Sequence, residues 1–452
     1  MDLVVDTETP LNNKLCAKFK RSFAYATVTD RLPVIVTGII DRLVRDKNRL
    51  SEESKVKSKE VIAGLAELKY LLQTAKAITN FSSSDVDTDL WNKELTKYQQ
   101  LVGQELTFYN IPWLFVECYM YRYIHEIFIK SEVLKDYDAF SDKKEQILEE
   151  SLQAIQPYFK QILEESLQAI QPYFKHLLED HILDIEPLKT TDIINEFIQL
   201  FKLVLWANRV DLSLSSGKTE DCCNPLTNLD DWNEYLLVDD TEKVINLIFS
   251  SSEQEKVIDY VLDNSGFEFL SDLCLCDFLT TRCGVDKIRL RCKRMPWFVS
   301  DVTRNDIKYT LNESMAKHQS QYCQQLANRW QQYLDKGKWI IEDDVFWTLG
   351  LSFNDMPQSD SALYSELQTS NLIIFKGDLN YRKLIQDTNW EPGTKFSQAL
   401  GDFRPAPLVA VRTMKADTVA GIDKDLFNST FSKSPDWLIS GQYGVIQFDS
   451  TK

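Results

Sequence analysis

The sequence predicts an α/β protein, with an α-helical N-terminal lobe followed by a Rossmann-like three-layer α/β/α C-terminal lobe. Three observations carry that expectation. The first half of the chain repeats apolar residues at helical spacing. From Val257 onward, short apolar runs alternate with helical patterns, at Val257–Leu262, Lys287–Cys292, Trp339–Ile341, Asn371–Phe375, Leu408–Arg412 and Val445–Phe448. Such alternation is what a mainly parallel sheet covered by helices requires. The length, 452 residues, exceeds what one hydrophobic core usually serves. The expected division is a flexible tail at 1–12, a helical lobe at 13–250 and the α/β/α lobe at 251–452.

In chain order, Lys18–Leu50 reads as helix with a break at Pro33 and an apolar stripe through Val36, Ile39, Ile40 and Leu43. Lys55–Asn80 is a second helical pattern, built on Val61, Leu65, Leu68, Leu71 and Leu72. Phe81–Asp89 is a serine-rich loop. Helical spacing returns over Trp91–Tyr109 and again after Pro112, where the run is apolar on nearly every side and belongs in the middle of the lobe. The segment QILEESLQAIQPYFK then occurs twice without a mismatch, at Gln146–Lys160 and Gln161–Lys175. Such an insert lengthens a helix by about 22 Å, Pro157 and Pro172 are each expected to kink or break it, and its place is expected at the lobe's surface. Asp192–Trp206 is a further helix, followed by a loop at Ser213–Trp232.

Composition narrows the function. The net charge of −17 disfavours nucleic acid or an anionic membrane as the main partner, because both demand a concentrated positive surface. No apolar run is expected to reach a membrane span, and the acidic, polar N-terminus is unlike a signal or transit peptide. Nine scattered cysteines fit reduced thiols in the cytoplasm, or the nucleus.

The chemistry centres on Val257–Thr280. A strand-like run ends in Asp263 and Asn264, Ser265–Gly266 supply a turn, and a helical segment follows. Open α/β sheets place ligand groups at such carboxyl edges. Asp263 as a helix cap and Asn264 as a left-handed turn residue is the plainer alternative. The next strand leads into MPWFVSDVT, putting Asp301 past another strand end, where capping of VTRND competes as a role. Together, Asp263, Asn264 and Asp301 form an all-oxygen set suited to Mg²⁺ or Mn²⁺. The strand NLIIF leads into Lys376 and Gly377, which with Arg382 suit an anion, and LVAVRTMKAD brings Arg412 and Lys415 to another strand tip. Convergence of these tips points to metal-assisted phosphoryl chemistry. His125, His176, His181 and His318 show no metal spacing, and Cys274, Cys276, Cys283 and Cys292 lack the paired spacing of a zinc site.

VLDNSGFEFLSDL, PWFVSDVT, KGDLNYRKLIQDTNW and RTMKAD, with SFAYATVTDRLPVIVTGIIDRL and PWLFVECYMYRYI upstream, resemble the metal-dependent damage-control phosphatases, in the sugar-phosphate branch marked by Arg-Thr-x-Lys. The resemblance spans nearly the whole chain apart from the repeat. It implies Mn²⁺ or Ni²⁺, with Mg²⁺ or Co²⁺ as alternatives, held by Asp263, Asn264 and Asp301. It implies substrate contacts from those groups, from Asp378, Leu379, Asn380, Tyr381 and Arg382, and from Lys415. The implied reaction is hydrolysis of small phosphorylated sugars such as fructose 1-phosphate and fructose 6-phosphate. Attack by Asp263 is the alternative to water, and water is favoured because a carboxylate that ligates a metal is a compromised nucleophile. The resemblance also implies a competing activity, methyl transfer from S-adenosylmethionine to protein glutamates, with Glu268 and Asp301 expected near the cofactor. Against it, no glycine-rich loop follows the first strand.

Overall fold

The computed structural model describes residues 4–178, 190–215, 231–250 and 255–450. Its centre is a seven-stranded sheet in the order β1-β7-β6-β5-β2-β3-β4. The strands are β1 (Leu236–Asp239), β2 (Val257–Val261), β3 (Lys287–Arg291), β4 (Trp339–Glu342), β5 (Leu372–Lys376), β6 (Leu408–Thr413) and β7 (Gly444–Asp449). All neighbours are parallel except β6 and β7. Six of the strands match the apolar runs to within a residue or two. The seventh, β1, lies ahead of residue 251, and its short LLVD run gave too little periodicity to stand out.

Side chains alternate across the sheet, so each face has its own core. Ile373 and Phe375 join one, Leu372 and Ile374 the other. The helices α1 (Leu32–Asp46), α2 (Glu52–Thr74), α3 (Thr88–Val102) and α4 (Trp113–Lys130) share the first core. The second contains α5 (Ser141–Leu178), α6 (Thr190–Ser215) and α7 (Thr241–Ile248), with α8 (Phe267–Arg282) and α9 (Gln321–Asp335). The N-terminal helices are thus a layer of the sandwich. As expected, α4 is buried almost all round.

Several local expectations change. Residues 4–12 are tied down: Val5 N donates to Lys18 O, and Asn12 N to Asn389 O. Pro33 does not end its helix. The chain takes a π-helical turn at Thr27–Arg31, closed by Leu32 N donating to Thr27 O, and Pro33 sits in the first turn of α1. The wider turn frees the backbone from the carbonyl that a proline ring would strike. By length and composition the continuous helix Phe23–Asp46 is able to cross a membrane, contrary to expectation. Its buried stripe of Val28, Leu32, Val36, Ile39 and Leu43 belongs to the first core. Nor does Pro157 break α5, because Pro157 and Gln153, the residue whose carbonyl it leaves unpaired, both face solvent. The first repeat copy buries Leu148, Leu152, Ile155 and Phe159. Most side chains of the second copy, His181 and most of the Ser213–Trp232 loop lie outside the described residues.

Candidate functional site

After β2 the chain moves to β3 and β4 on one side, then returns to β5 on the other. The carboxyl ends of β2 and β5 therefore flank the topological switch point, where α/β sheets open a crevice. Asp263 stands there two residues beyond β2, and Gly377 one residue beyond β5. They touch so closely that a Cβ on Gly377, whose φ is +83°, would lie 1.8 Å from Asp263 Oδ2. Gly377 is needed to make room for that carboxylate as much as to turn the chain.

Asp301 arrives from the β3 side. Its backbone bridges Asn264, Val302 N donates to Asp263 O over 2.8 Å, and Ser265 N donates to Ser300 O over 2.7 Å. Phe298 and Val299, just before it, hold positive φ values of 43° and 73°. A β-branched residue there is strained, and the bonds across to residues 263–265 hold the loop in place. Asp263, Asn264 and Asp301 are thus brought together as expected, through a tight loop beyond the strand end.

The electrostatics follow from burial. Asp263 is 5% and Asp301 1% exposed. Burial, then the charges of Glu268 and Asp301, push the Asp263 carboxyl well above its ordinary range. Burial lifts Asp301 to about 6 despite Lys293. Lys293 Nζ lies 3.2 Å from Asp301 Oδ2 as an ion pair without hydrogen-bond alignment, and that oxygen has no other partner. Asn264 Nδ2 donates to Asp263 Oδ2 over 2.7 Å, while its Oδ1 accepts from Ser300 Oγ over 2.6 Å. Among the described residues no three His, Cys, Asp or Glu side chains form a metal cluster by themselves; the set is two carboxylates and an amide. It suits a hard dication: repulsion among the carboxylates and the orphaned Asp301 oxygen are both relieved by positive charge.

Glu268 lies beneath, with Oε1 accepting from Lys376 Nζ over 2.9 Å and Oε2 from Asn208 and Asn264 over 2.6 and 2.9 Å. Burial opposes its charge, but Lys376, Lys415 and those amides outweigh it and hold its pKa below the usual value. Lys376 also bonds Val204 O. Both groups are wholly buried, so they support the site from below instead of facing a ligand.

The residues after Gly377 divide in the same way. Asp378 accepts from the Arg412 guanidinium and from Lys415 N, over 2.7 and 3.1 Å, and so fixes the backbone that presents Lys415. Arg412 also bonds Ala416 and Thr418 carbonyls. Leu379 is core, Asn380 donates to Lys376 and Leu262 carbonyls, and Tyr381 bonds Gln447 and Ala420. Arg382 pairs with Glu117 and Asp387 over 2.7 and 2.8 Å and stacks on Trp113. Of this series only Lys415 lines the adjoining cavity of about 310 Å³, whose other walls include Asn264, Ser265, Ser300, Arg31 and Lys143. Lys293 could have been found in the sequence, since it follows a strand end like Asp263. Arg31, Lys143 and Asn208 carry no such signal.

The chain matches the Damage-control phosphatase ARMT1-like domain over residues 27–428. It is 37% identical to the zebrafish (Danio rerio) protein named Damage-control phosphatase ARMT1, covering 96% of each chain. The human protein of that name is 37% identical over 95% of this chain and 96% of its own, and the bovine one 38% identical over 96% and 98%. Full-length similarity at this level, joined to a family match over most of the sequence, makes this chain a member of the damage-control phosphatase ARMT1-like family.

Proposed function

We propose that this protein is a metal-dependent phosphatase of small phosphorylated sugars such as fructose 1-phosphate and fructose 6-phosphate. One observation carries the reading: buried acids and an amide at the switch point, Asp263, Asn264 and Asp301, adjoin a cavity carrying cations, among them Lys415. That pairing suits a metal-bound phosphoryl group, and the word phosphatase in the relatives' name supports the phosphoryl part of the reading.

Asp263, Asn264 and Asp301 would hold the ion, with Mn²⁺ or Ni²⁺ proposed; when bound, it supplies Lewis-acid stabilisation of phosphoryl oxygens and lowers the pKa of a water. The chain's own part is positioning. Lys415 offsets charge on the phosphoryl group, with its backbone anchored by Asp378, and Lys293 balances Asp301. Glu268 and Lys376 neutralise one another below the site, so neither drains charge from it. Asp263, wedged against Gly377 and shared with Asn264, is a constrained ligand, which favours water as the nucleophile.

The test is phosphate release from a panel of sugar phosphates by protein stripped with EDTA, before and after adding Mn²⁺, Ni²⁺ or Mg²⁺. Metal-dependent release, strongest with fructose 1-phosphate, is expected. No release with any metal would overturn the proposal.

A further inference from the structure

The cavity beside Asn264 and Lys415 has a wall that no strand-tip argument reaches: the π-helical turn Thr27–Arg31 of the N-terminal layer. Thr27 lines the cavity, is 1% exposed, and its Oγ1 has no hydrogen-bond partner. A buried hydroxyl left unpaired costs free energy in the free protein, and such a group calls for an explanation. Arg31 lines the same cavity from the end of the turn and, like Lys143 on α5, has no ion pair among the described residues. Tyr121 also lines it, stacked on Phe298 at 4.7 Å, giving an apolar surface beside the polar groups. π turns recur at functional sites because they re-aim side chains out of the regular helical pattern.

Resting on the sugar-phosphate reading above, we propose that this turn is the substrate-recognition half of the site. On binding, the Thr27 side chain turns so that its Oγ1, closed off and unpaired in the free protein, pairs with a hydroxyl of the polyol part of the ester, and Arg31 counters its phosphate charge. The aromatic pair packs against the carbon skeleton. A phosphorylated polyol supplies the hydroxyl, the anion and the apolar edge that this wall matches, whereas a simple aryl phosphate lacks the hydroxyl.

T27V, T27S and R31Q test this with the Mn²⁺-loaded full chain. Hydrolysis of fructose 1-phosphate and of phenyl phosphate is measured, along with calorimetric binding of fructose 1-phosphate and melting temperature. T27V is expected to raise KM for fructose 1-phosphate about 10-fold, with kcat and the phenyl phosphate KM within about twofold of wild type. Its melting temperature should not fall, since the lost hydroxyl had no partner; T27S should behave as wild type. R31Q should raise KM for both esters and flatten the salt dependence of kcat/KM. Equal effects of T27V on both esters, no effect on either, or a lower melting temperature would overturn the inference. If the wild type binds fructose 1-phosphate in a Thr27-dependent way but releases no phosphate, the recognition inference stands and the phosphatase reading falls. If it neither binds nor hydrolyses, both fall.

Discussion

Gly377→Ala offers the sharpest test of how the site is built. The methyl group would sit 1.8 Å from Asp263 Oδ2 and 2.1 Å from its Cγ, where ordinary contacts begin at 3.4 Å. Asp263 cannot yield freely, because its carboxylate is tied to Asn264 and its carbonyl to Val302. The carboxylate or the β5 end must retreat by roughly 1.5 Å, and a displacement of about 1 Å can cost ~10²-fold in rate. Alanine at φ +83° adds about 1–2 kcal/mol of backbone strain, a fall of a few degrees in melting temperature for a chain of this size. Gly393→Ala separates the two effects. Its φ is +93°, but its Cβ meets only Lys424 Cβ at 3.7 Å, an ordinary contact. Phosphate release with Mn²⁺ and thermal melting are measured on both variants. Both variants share the backbone strain, and Gly377→Ala is expected to be further destabilised by about 1–3 kcal/mol from the clash, with activity lost ~100-fold or more in Gly377→Ala alone. Equal activity in the two variants would refute the claim that Gly377 exists to admit Asp263.

Asp263→Ala should abolish metal-dependent phosphate release while leaving the protein folded, as seen by circular dichroism; retained turnover would remove Asp263 from the site. Lys415→Met should lower kcat by about 10²–10³-fold, the usual cost of losing one charge-stabilising donor, and an unchanged kcat would exclude that role. Arg382→Met leaves Glu117 and Asp387 buried without their partner, at about 3–5 kcal/mol. Its melting temperature should drop steeply with KM unchanged, whereas a raised KM at constant stability would make Arg382 a substrate contact after all. Lys383, wholly buried and bonded to three backbone carbonyls, has its pKa pushed down by burial to about 8. Between pH 8 and its ordinary value near 10.5 the unfolded chain therefore binds more protons than the folded one, and stability rises with pH. Relative to Lys383→Met, the wild type should gain up to roughly 3 kcal/mol across that window, read from denaturant midpoints; parallel pH curves would contradict it.

What local sequence determines here is the set of elements and the acids at their ends. Six strands announce themselves because a strand buried on both faces must be apolar along its length. Asp263 and Asn264 directly follow one such run and Asp301 lies past the end of the next, but capping and turn roles compete for all three in the sequence, and only their meeting in space favours a shared site. Helix α4 was equally legible, since a helix inside a protein is apolar on every side. Pairings across the chain were not. KGDLNYRK reads as one charged segment after a strand, yet its cations go to different places: Lys376 to Glu268, Arg382 to Glu117 and Asp387, and Lys383 to the carbonyls of residues 346–349. A cation's availability depends on which acid the fold brings beside it, and those acids lie up to 265 residues away. The same holds for Thr27 and Arg31. Nothing in their neighbourhood marks a site, and only Pro33's missing N–H, the wide turn it favours and the packing of the N-terminal layer over the sheet edge set them around the cavity. Composition and periodicity are short-range properties and decide the elements; charge pairing and cavity walls are long-range and belong to the tertiary structure.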